Sequence, residues 1–309
     1  MSKRVEDQKF GGVWTAEKLE ALERYLKSYS TALKKIDFTK VYIDAFAGNG
    51  ECIIKSGDCT VPTEGSVKRS LNVDPPFDKY YFIDLKPENH VGLRTLCAQY
   101  PALTTELRQG DANDELTDII TSINWQRTRG VLFLDPFGMT LKWDTLFDIA
   151  FTQAIDVWYL FPLSGMSRQA ANNFDSVDAS KKKSLTTLLG STDWEEYFYK
   201  DDPGMALFDE TNKKVRVTDQ SQMLGYVKKR LESIFPSVLE PAILRTEGNA
   251  PLYALFFACA NPNKRAQEIA GSIASHLIKK LNGGNYGSVE KQKLAELKKD
   301  NTIQPDLFG

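Results

Sequence analysis

Four aspartates, Asp44, Asp84, Asp111 and Asp135, each stand at or just beyond the end of a short, largely apolar run. A carboxylate at the end of a buried strand can accept hydrogen bonds from a ligand's hydroxyl or amino groups, and like charges gathered on one edge cost free energy unless something binds them. The first opens Asp44-Ala-Phe46-Ala-Gly48-Asn-Gly50, a turn whose two glycines permit positive φ and close approach of backbone to a ligand. It is not a dinucleotide fingerprint: Ile53 stands where the third glycine belongs, and Asp84 follows Gly50 by 34 residues where that fingerprint expects about 20. Nor is it a phosphate loop, since no Gly-Lys-Ser/Thr follows. What fits is a nucleotide-like ligand without phosphates. The last aspartate opens Asp135-Pro136-Phe137-Gly138, where a carboxylate, a backbone carbonyl set by proline's fixed φ and an aromatic ring are adjacent.

The flanking sequence must hold these residues in place. Leu19, Leu22, Tyr25, Leu26, Tyr29 and Leu33 recur at helical spacing behind Thr15, the predicted helix cap. Strands are expected at 40–44, 80–85, 105–108, 131–135 and 154–161, with helices at 65–73, 87–99, 115–124 and 143–151 between them. Residues 51–64, with Gly57, Pro62 and two cysteines, read as a loop. Nearly all-apolar strands alternating with helices predict an α/β fold with a mostly parallel sheet covered on both faces. The alternation stops near Pro162. Residues 163–240 read as a polar, helix-prone insert after the fifth strand, a candidate target-recognition element carrying Lys181-Lys182-Lys183, Trp194, Tyr197, Lys213-Lys214 and Lys228-Lys229-Arg230. A strand pair at 242–245 and 252–260 and a helix to about 281 resume the domain begun in residues 1–162, and 282–309 reads as a flexible tail.

With 39 Lys+Arg against 41 Asp+Glu, the chain is not a strongly basic nucleic-acid binder, although a local basic groove survives such averaging. Cys52, Cys59, Cys97 and Cys259 form no CxxC pair, and His90 and His276 are the only histidines, so no zinc site or disulfide framework is expected. No apolar run approaches the roughly 20 residues of a membrane span, and the first residues carry no secretory pattern, so a cytoplasmic protein without membrane contact is expected.

The pattern Asp-x-Phe-x-Gly-x-Gly resembles motif I of class I S-adenosylmethionine methyltransferases, and the remaining acids follow that family's order. The resemblance implies a Rossmann-like class I methyltransferase fold with a seven-stranded sheet and S-adenosylmethionine as cofactor. Asp44, Phe46, Gly48 and Gly50 would form the cofactor turn, Asp84 would bind the ribose hydroxyls, and Leu85 would pack on the adenine. Asp111 and the Ala112 amide would meet the adenine edge, and Lys18 would border the pocket. Asp135, Pro136 and Phe137 occupy the motif IV position, Asp/Asn/Ser-Pro-Pro-aromatic in enzymes that methylate base amino groups. Here Phe137 replaces the second proline and Gly138 the aromatic, which leaves Phe137 or Trp143 to stack on the base.

Trp14-Thr-Ala-Glu-Lys18, Tyr42-Ile-Asp-Ala-Phe-Ala-Gly48, Leu134-Asp-Pro-Phe-Gly138 and Leu252-Tyr-Ala-Leu-Phe-Phe257 together resemble the three-Cys-motif partner family, a methyltransferase-like group. That family carries no proven substrate and supports the fold more than the reaction. The ordered methyltransferase motifs imply a methyltransferase acting on a nucleic-acid base amino group, adenine N6 first, in a nucleic-acid modification, repair or phage-related setting. The family resemblance also implies a second possibility, a catalytically altered subunit that binds nucleic acid or a radical-SAM-like three-Cys-motif partner. The order of motifs also resembles ribosomal RNA adenine-N6 methyltransferases. Gln304-Pro-Asp-Leu307-Phe308 resembles the short peptide that bacterial proteins insert into the sliding clamp.

Overall fold

A computed structural model describes residues 10–201, 213–284 and 286–302. In chain order the elements are β1 (Phe10–Gly11), α1 (Val13–Ala32), β2 (Thr39–Asp44), β3 (Glu51–Ser56), β4 (Cys59–Glu64), α2 (Ser66–Leu71), β5 (Lys79–Asp84) and α3 (Pro87–Cys97). Then come β6 (Thr105–Gln109), α4 (Ala112–Ser122), β7 (Thr128–Leu134), α5 (Trp143–Phe151) and β8 (Ile155–Phe161). The insert holds α6 (Leu163–Gln169), a 3-10 turn at Phe174–Ser176, α7 (Ala179–Leu189), α8 (Trp194–Phe198), β9 (Tyr199–Asp201), β10 (Lys214–Arg216) and α9 (Gln220–Glu232). The chain continues through β11 (Ser237–Val238), β12 (Ala242–Arg245), β13 (Pro251–Cys259), α10 (Lys264–Asn282) and α11 (Ser288–Thr302).

The central sheet runs β6-β5-β2-β7-β8-β13, with β11 and β12 both pairing antiparallel to β13. The five strands from β6 to β8 are parallel, and β13 is antiparallel to β8. The seven expected positions are thus filled by eight strands, because β11 and β12 share one edge. Strand order reverses beside β2: β5 and β6 build outward on one side, β7 and β8 on the other. The crevice at that reversal, beyond the strands' carboxyl ends, is where open α/β sheets bind ligands.

Alternation of side chains divides the core into two layers. Tyr42, Tyr80, Phe82, Phe133, Trp158 and Phe257 pack toward α1, α2, α3 and α10. Ile43, Ile83, Leu132, Leu134, Val157, Tyr159 and Phe256 pack toward α4, α5 and the insert. Leu185, Leu188, Trp194, Phe198, Met223 and Val227 of the insert belong to that second layer, so the insert roofs the sheet.

Three sequence expectations are corrected here. Residues 51–64 are not a loop: Glu51–Ser56 and Cys59–Glu64 pair as an antiparallel hairpin, and β1 adds to it in parallel at Ile53 and Ile54. The tail read as flexible contains α11, whose Leu294 is 3% exposed and packs with Ala16, Ile54, Cys59 and Val61. Gln304–Phe308, the clamp-like peptide, lies outside the described residues. Thr15 is not the cap of α1; Gly12 is, and Thr15 lies buried in the first turn.

Candidate functional site

The four aspartates do gather along the carboxyl edge of the sheet, but they are held there differently. Asp44 ends β2 fully buried, with Oδ1 accepting the Phe46 amide at 3.3 Å and a hydrogen bond from Ser66. Burial pushes its carboxyl up to about 7, and the Asp135 charge adds to that against the pull of Ser66, the Phe46 amide and Lys18. Asp44 therefore lies beneath the glycine turn and shapes it.

Gly48 and Gly50 sit at φ +62° and +85°, which an L side chain adopts only with strain. At Gly48 the space a Cβ would enter is open, with nothing within 4 Å. Gly92 of α3 packs so tightly on the Asn49 carbonyl that an added Cβ would lie 2.7 Å from it.

Asp84, at the end of β5, is fastened at both its carboxylate and its carbonyl, the latter also accepting the Gly110 amide at 3.2 Å. Its Oδ2 accepts the Gly48 amide at 2.9 Å; its Oδ1 accepts the Lys86 amide and the Asn89 amide group, each at 2.8 Å; and its carbonyl meets the His90 ring at 3.0 Å. The carboxylate expected to bind ribose hydroxyls is thus tied to the glycine turn. Leu85 beside it is 66% exposed, an apolar side chain left in solvent at the site's edge.

Asp111 caps α4 by accepting the Asn113 amide at 2.9 Å, and the Asn113 side chain and amide hold its carboxyl below the usual range against partial burial. Asn113 was missed in the sequence. Its side chain is buried and spends all its capacity: Nδ2 donates to Asp111 Oδ1 at 2.8 Å and to the Thr140 carbonyl at 3.1 Å. Its Oδ1 accepts from the Lys142 amide and the Thr145 hydroxyl, each at 2.9 Å. Asn113 thereby pins the loop after Asp135 to the start of α4. The only signal was its place two residues after Asp111.

Asp135 follows β7 directly, and its Oδ2 is bonded to the Lys18 ammonium of α1. Lys18 is 4% exposed, with its nitrogen 5.0 Å from the Trp14 ring and 5.9 Å from the Phe133 ring. Trp14 in turn meets Tyr253 at 4.8 Å. The structure thus places Lys18 on the acid of the Asp-Pro motif, whereas the sequence set it at the cofactor pocket. Pro136 is buried, and Phe137 is 70% exposed beside Gly138 at φ +74°. Trp143, the other stacking candidate, is 8% exposed under the Arg230 guanidinium, which lies 4.6 Å from its ring, and so does not reach the site. A cleft of about 1060 Å³ lies between α1, β12 and α11, lined by Trp14, Arg245, Leu281 and Lys291 and by none of the four aspartates.

No family model and no curated protein matches this chain. Among solved structures it is similar to protein LPL1258 from Legionella pneumophila str. Philadelphia 1, assigned to family DUF519, at 12% identity and TM-score 0.51, over 89% of this chain and 94% of that one. It is also similar to the bifunctional kinase-methyltransferase WbdD, at 11% identity and TM-score 0.42, over 79% of this chain and 39% of that one. A third is the N-terminal domain of EvdMO1, crystallised with SAH and D-fucose, at 12% identity and TM-score 0.36, over 77% of this chain and 82% of that one. At such identities the likeness is one of fold. The chain has an α/β fold with a mostly parallel central sheet flanked by helices, and no described helix is long and apolar enough to cross a membrane.

Among the residues expected at the site, the turn, Asp84, Leu85, Asp111, Ala112 and the Asp135–Phe137 run share one sheet edge. Their chemistry fits S-adenosylmethionine: a glycine turn with open space at Gly48, a carboxylate fixed beside it for hydroxyls, an exposed leucine for a purine face and a second acid for an amino group.

Proposed function

We propose that the chain is an S-adenosylmethionine-dependent methyltransferase acting on the exocyclic amino group of a nucleic-acid base, adenine N6 first. The observation that carries this reading is the Asp135–Phe137 run beside the strand-order reversal, where a partly exposed carboxylate and a 70% exposed ring stand next to the glycine turn. Gly48, Gly50, Asp84, Leu85, Asp111 and Ala112 would hold the cofactor, with Asp44 and Phe46 supporting the turn. The cofactor supplies an electrophilic methyl group.

The chain's task is to make a poor nucleophile act. The lone pair of an exocyclic amine is delocalised into its ring. Asp135 and the Pro136 carbonyl accept the amine's two hydrogens and so localise the lone pair, while Phe137 contacts the face of a base that has left its stack. Lys18 orients the Asp135 carboxylate through the oxygen it occupies, leaving the other for substrate. Catalysis of this kind is positioning and electrostatics.

The test is transfer of a labelled methyl group to adenine-containing DNA and RNA, with calorimetry of S-adenosylmethionine. Asp135→Ala is expected to lower transfer at least about 100-fold while cofactor affinity stays within about twofold. Absence of cofactor binding in the parent protein, unaltered by Asp84→Ala, would refute the proposal.

A second reading is a methyltransferase-fold subunit that binds nucleic acid or a three-Cys-motif partner without transferring methyl groups. The Lys18 ammonium on Asp135 and the Gly138 in place of an aromatic favour it. A methyl mark lost in Asp135→Ala would exclude it.

A further inference from the structure

Of the insert's two aromatics named from the sequence, Trp194 is fully buried in the second core layer, while Tyr197 is 40% exposed and lies against Phe198 and Tyr226 with ring centroids 6.0 and 5.1 Å away. The insert also offers cations. Arg168 is exposed on α6, which starts immediately past the carboxyl end of β8, and Gly165 of that helix lies beside Met139 of the loop that follows Asp135. Its guanidinium bonds only the Ser164 hydroxyl, at 2.9 Å, and no carboxylate pairs with it among the described residues.

From Arg168 the surface continues through a built connection. The Arg216 guanidinium donates to the Ala170 carbonyl at 2.7 Å and the Asn172 side chain at 2.7 Å, fastening β10 to the end of α6. Just beyond, two ammonium groups approach one ring: Lys182 lies 4.1 Å and Lys214 6.0 Å from the Phe174 centroid. Neither has an ion pair among the described residues, although Asp201 lies opposite Lys214 in the β9–β10 ribbon. Asp178 is engaged instead by the α7 backbone and Lys181. The ring offsets the repulsion of the two cations without cancelling their charge.

We infer that Arg168 and the Lys182–Phe174–Lys214 cluster form a phosphate-binding track for a single-stranded nucleic acid, leading its target base to Asp135. The inference rests on the proposed base-methyltransferase reading and names its substrate form. Phosphate contacts by side chains of this kind fix register without reading sequence. A strand held on a charged groove needs no duplex to be opened against stacking, which suits an edge where Phe137 already waits exposed.

The experiment is fluorescence anisotropy of a labelled 12-nucleotide oligoadenylate, ribo and deoxy in parallel arms, over a salt series. Each single-strand phosphate contact contributes about 0.7 to the slope of log affinity against log salt. Lys182→Ala/Lys214→Ala is expected to weaken binding about fivefold or more and to flatten the slope by about 1.4, and Arg168→Ala to flatten it by about 0.7. Lys34→Ala/Lys35→Ala, at the opposite edge of the sheet, should leave both unchanged. Parent protein that binds neither strand, that prefers the matching duplex, or whose affinity and slope survive all three track substitutions would overturn the inference. Calorimetry with S-adenosylmethionine on the same samples separates the two failures. Lost cofactor binding with the track intact sinks the transferase reading alone, and retained cofactor binding with an insensitive track sinks this one alone.

Discussion

Lys18 and Asp135 are 117 residues apart in sequence and meet as a pair whose members are unequally wet, their side chains 5% and 29% exposed. Removing either breaks the same contact, yet the two losses differ. Asp135→Ala strands an ammonium away from water, whereas Lys18→Met leaves a carboxylate that solvent can still reach and fills the lysine's volume with apolar atoms. Breaking a buried pair costs most when the charge left behind is the buried one. In urea unfolding, Asp135→Ala is expected to lose about 2–3 kcal/mol and Lys18→Met about 1 kcal/mol or less. Equal losses would show that the pair acts as an ordinary surface contact. Asp135 was legible in the sequence because a polar residue ending an apolar run marks itself. Its partner was not, because no local pattern links two positions so far apart.

At the scale of elements, the site is assembled by loops that several helices hold down. Asn113 ties the start of α4 to the loop that carries Pro136 and Phe137, through Thr140, Lys142 and Thr145. Asn113→Ala leaves four partners without their bonds, of which the Thr145 hydroxyl is buried, so a loss of about 1–2 kcal/mol is expected. Because one side chain serves both the Asp111 corner and the Asp-Pro loop, cofactor affinity and methyl transfer should fall together, and a fall in only one would argue against this coupling. The strands and helices of the parallel sheet were readable because the inner strands are nearly unbroken apolar runs, and each break carries glycine, proline or a carboxylate; the edge strand β6, Thr105-Glu-Leu-Arg-Gln109, was marked by its place in the alternation. The β3–β4 hairpin was not, because Gly57 and Pro62 give it the composition of a loop and only its partners make it a strand pair. The last helix failed to announce itself for the related reason that it is rich in Lys and Glu and buries little beyond Leu294 and its neighbours.

For the molecule as a whole, one buried cluster joins the N-terminal helix to the far side of the sheet. The Tyr25 hydroxyl of α1 donates to Asp156 Oδ2 of β8 at 2.6 Å, and the Cys259 thiol of β13 also bonds that carboxyl. Burial raises Asp156 to about 6 despite both donors, from an unfolded value of 3.8. Between those values the folded chain binds a proton that the unfolded chain has released, so this group's stabilisation is full below about pH 4 and is lost as pH rises through 6. Asp156→Asn cannot titrate, and it should flatten the fall in stability across that window by on the order of 3 kcal/mol, measured by urea unfolding at pH 4 to 8. An unchanged pH dependence would mean that the carboxyl stays ionised in the folded chain.

The hairpin that follows the glycine turn is clasped by the two extremes of the described chain: β1 pairs with it at Ile53 and Ile54, and α11 lays Leu294 against its Val61. During synthesis the turn and the four aspartates leave the ribosome long before residue 294 does. A nascent chain would therefore carry a formed sheet edge beside a hairpin still lacking its cover, and the neighbourhood of the turn would be finished only when the last helix arrives. The arrival of α11 would then be felt beside the glycine turn, and amide exchange within residues 51–64 would report whether that cover is in place.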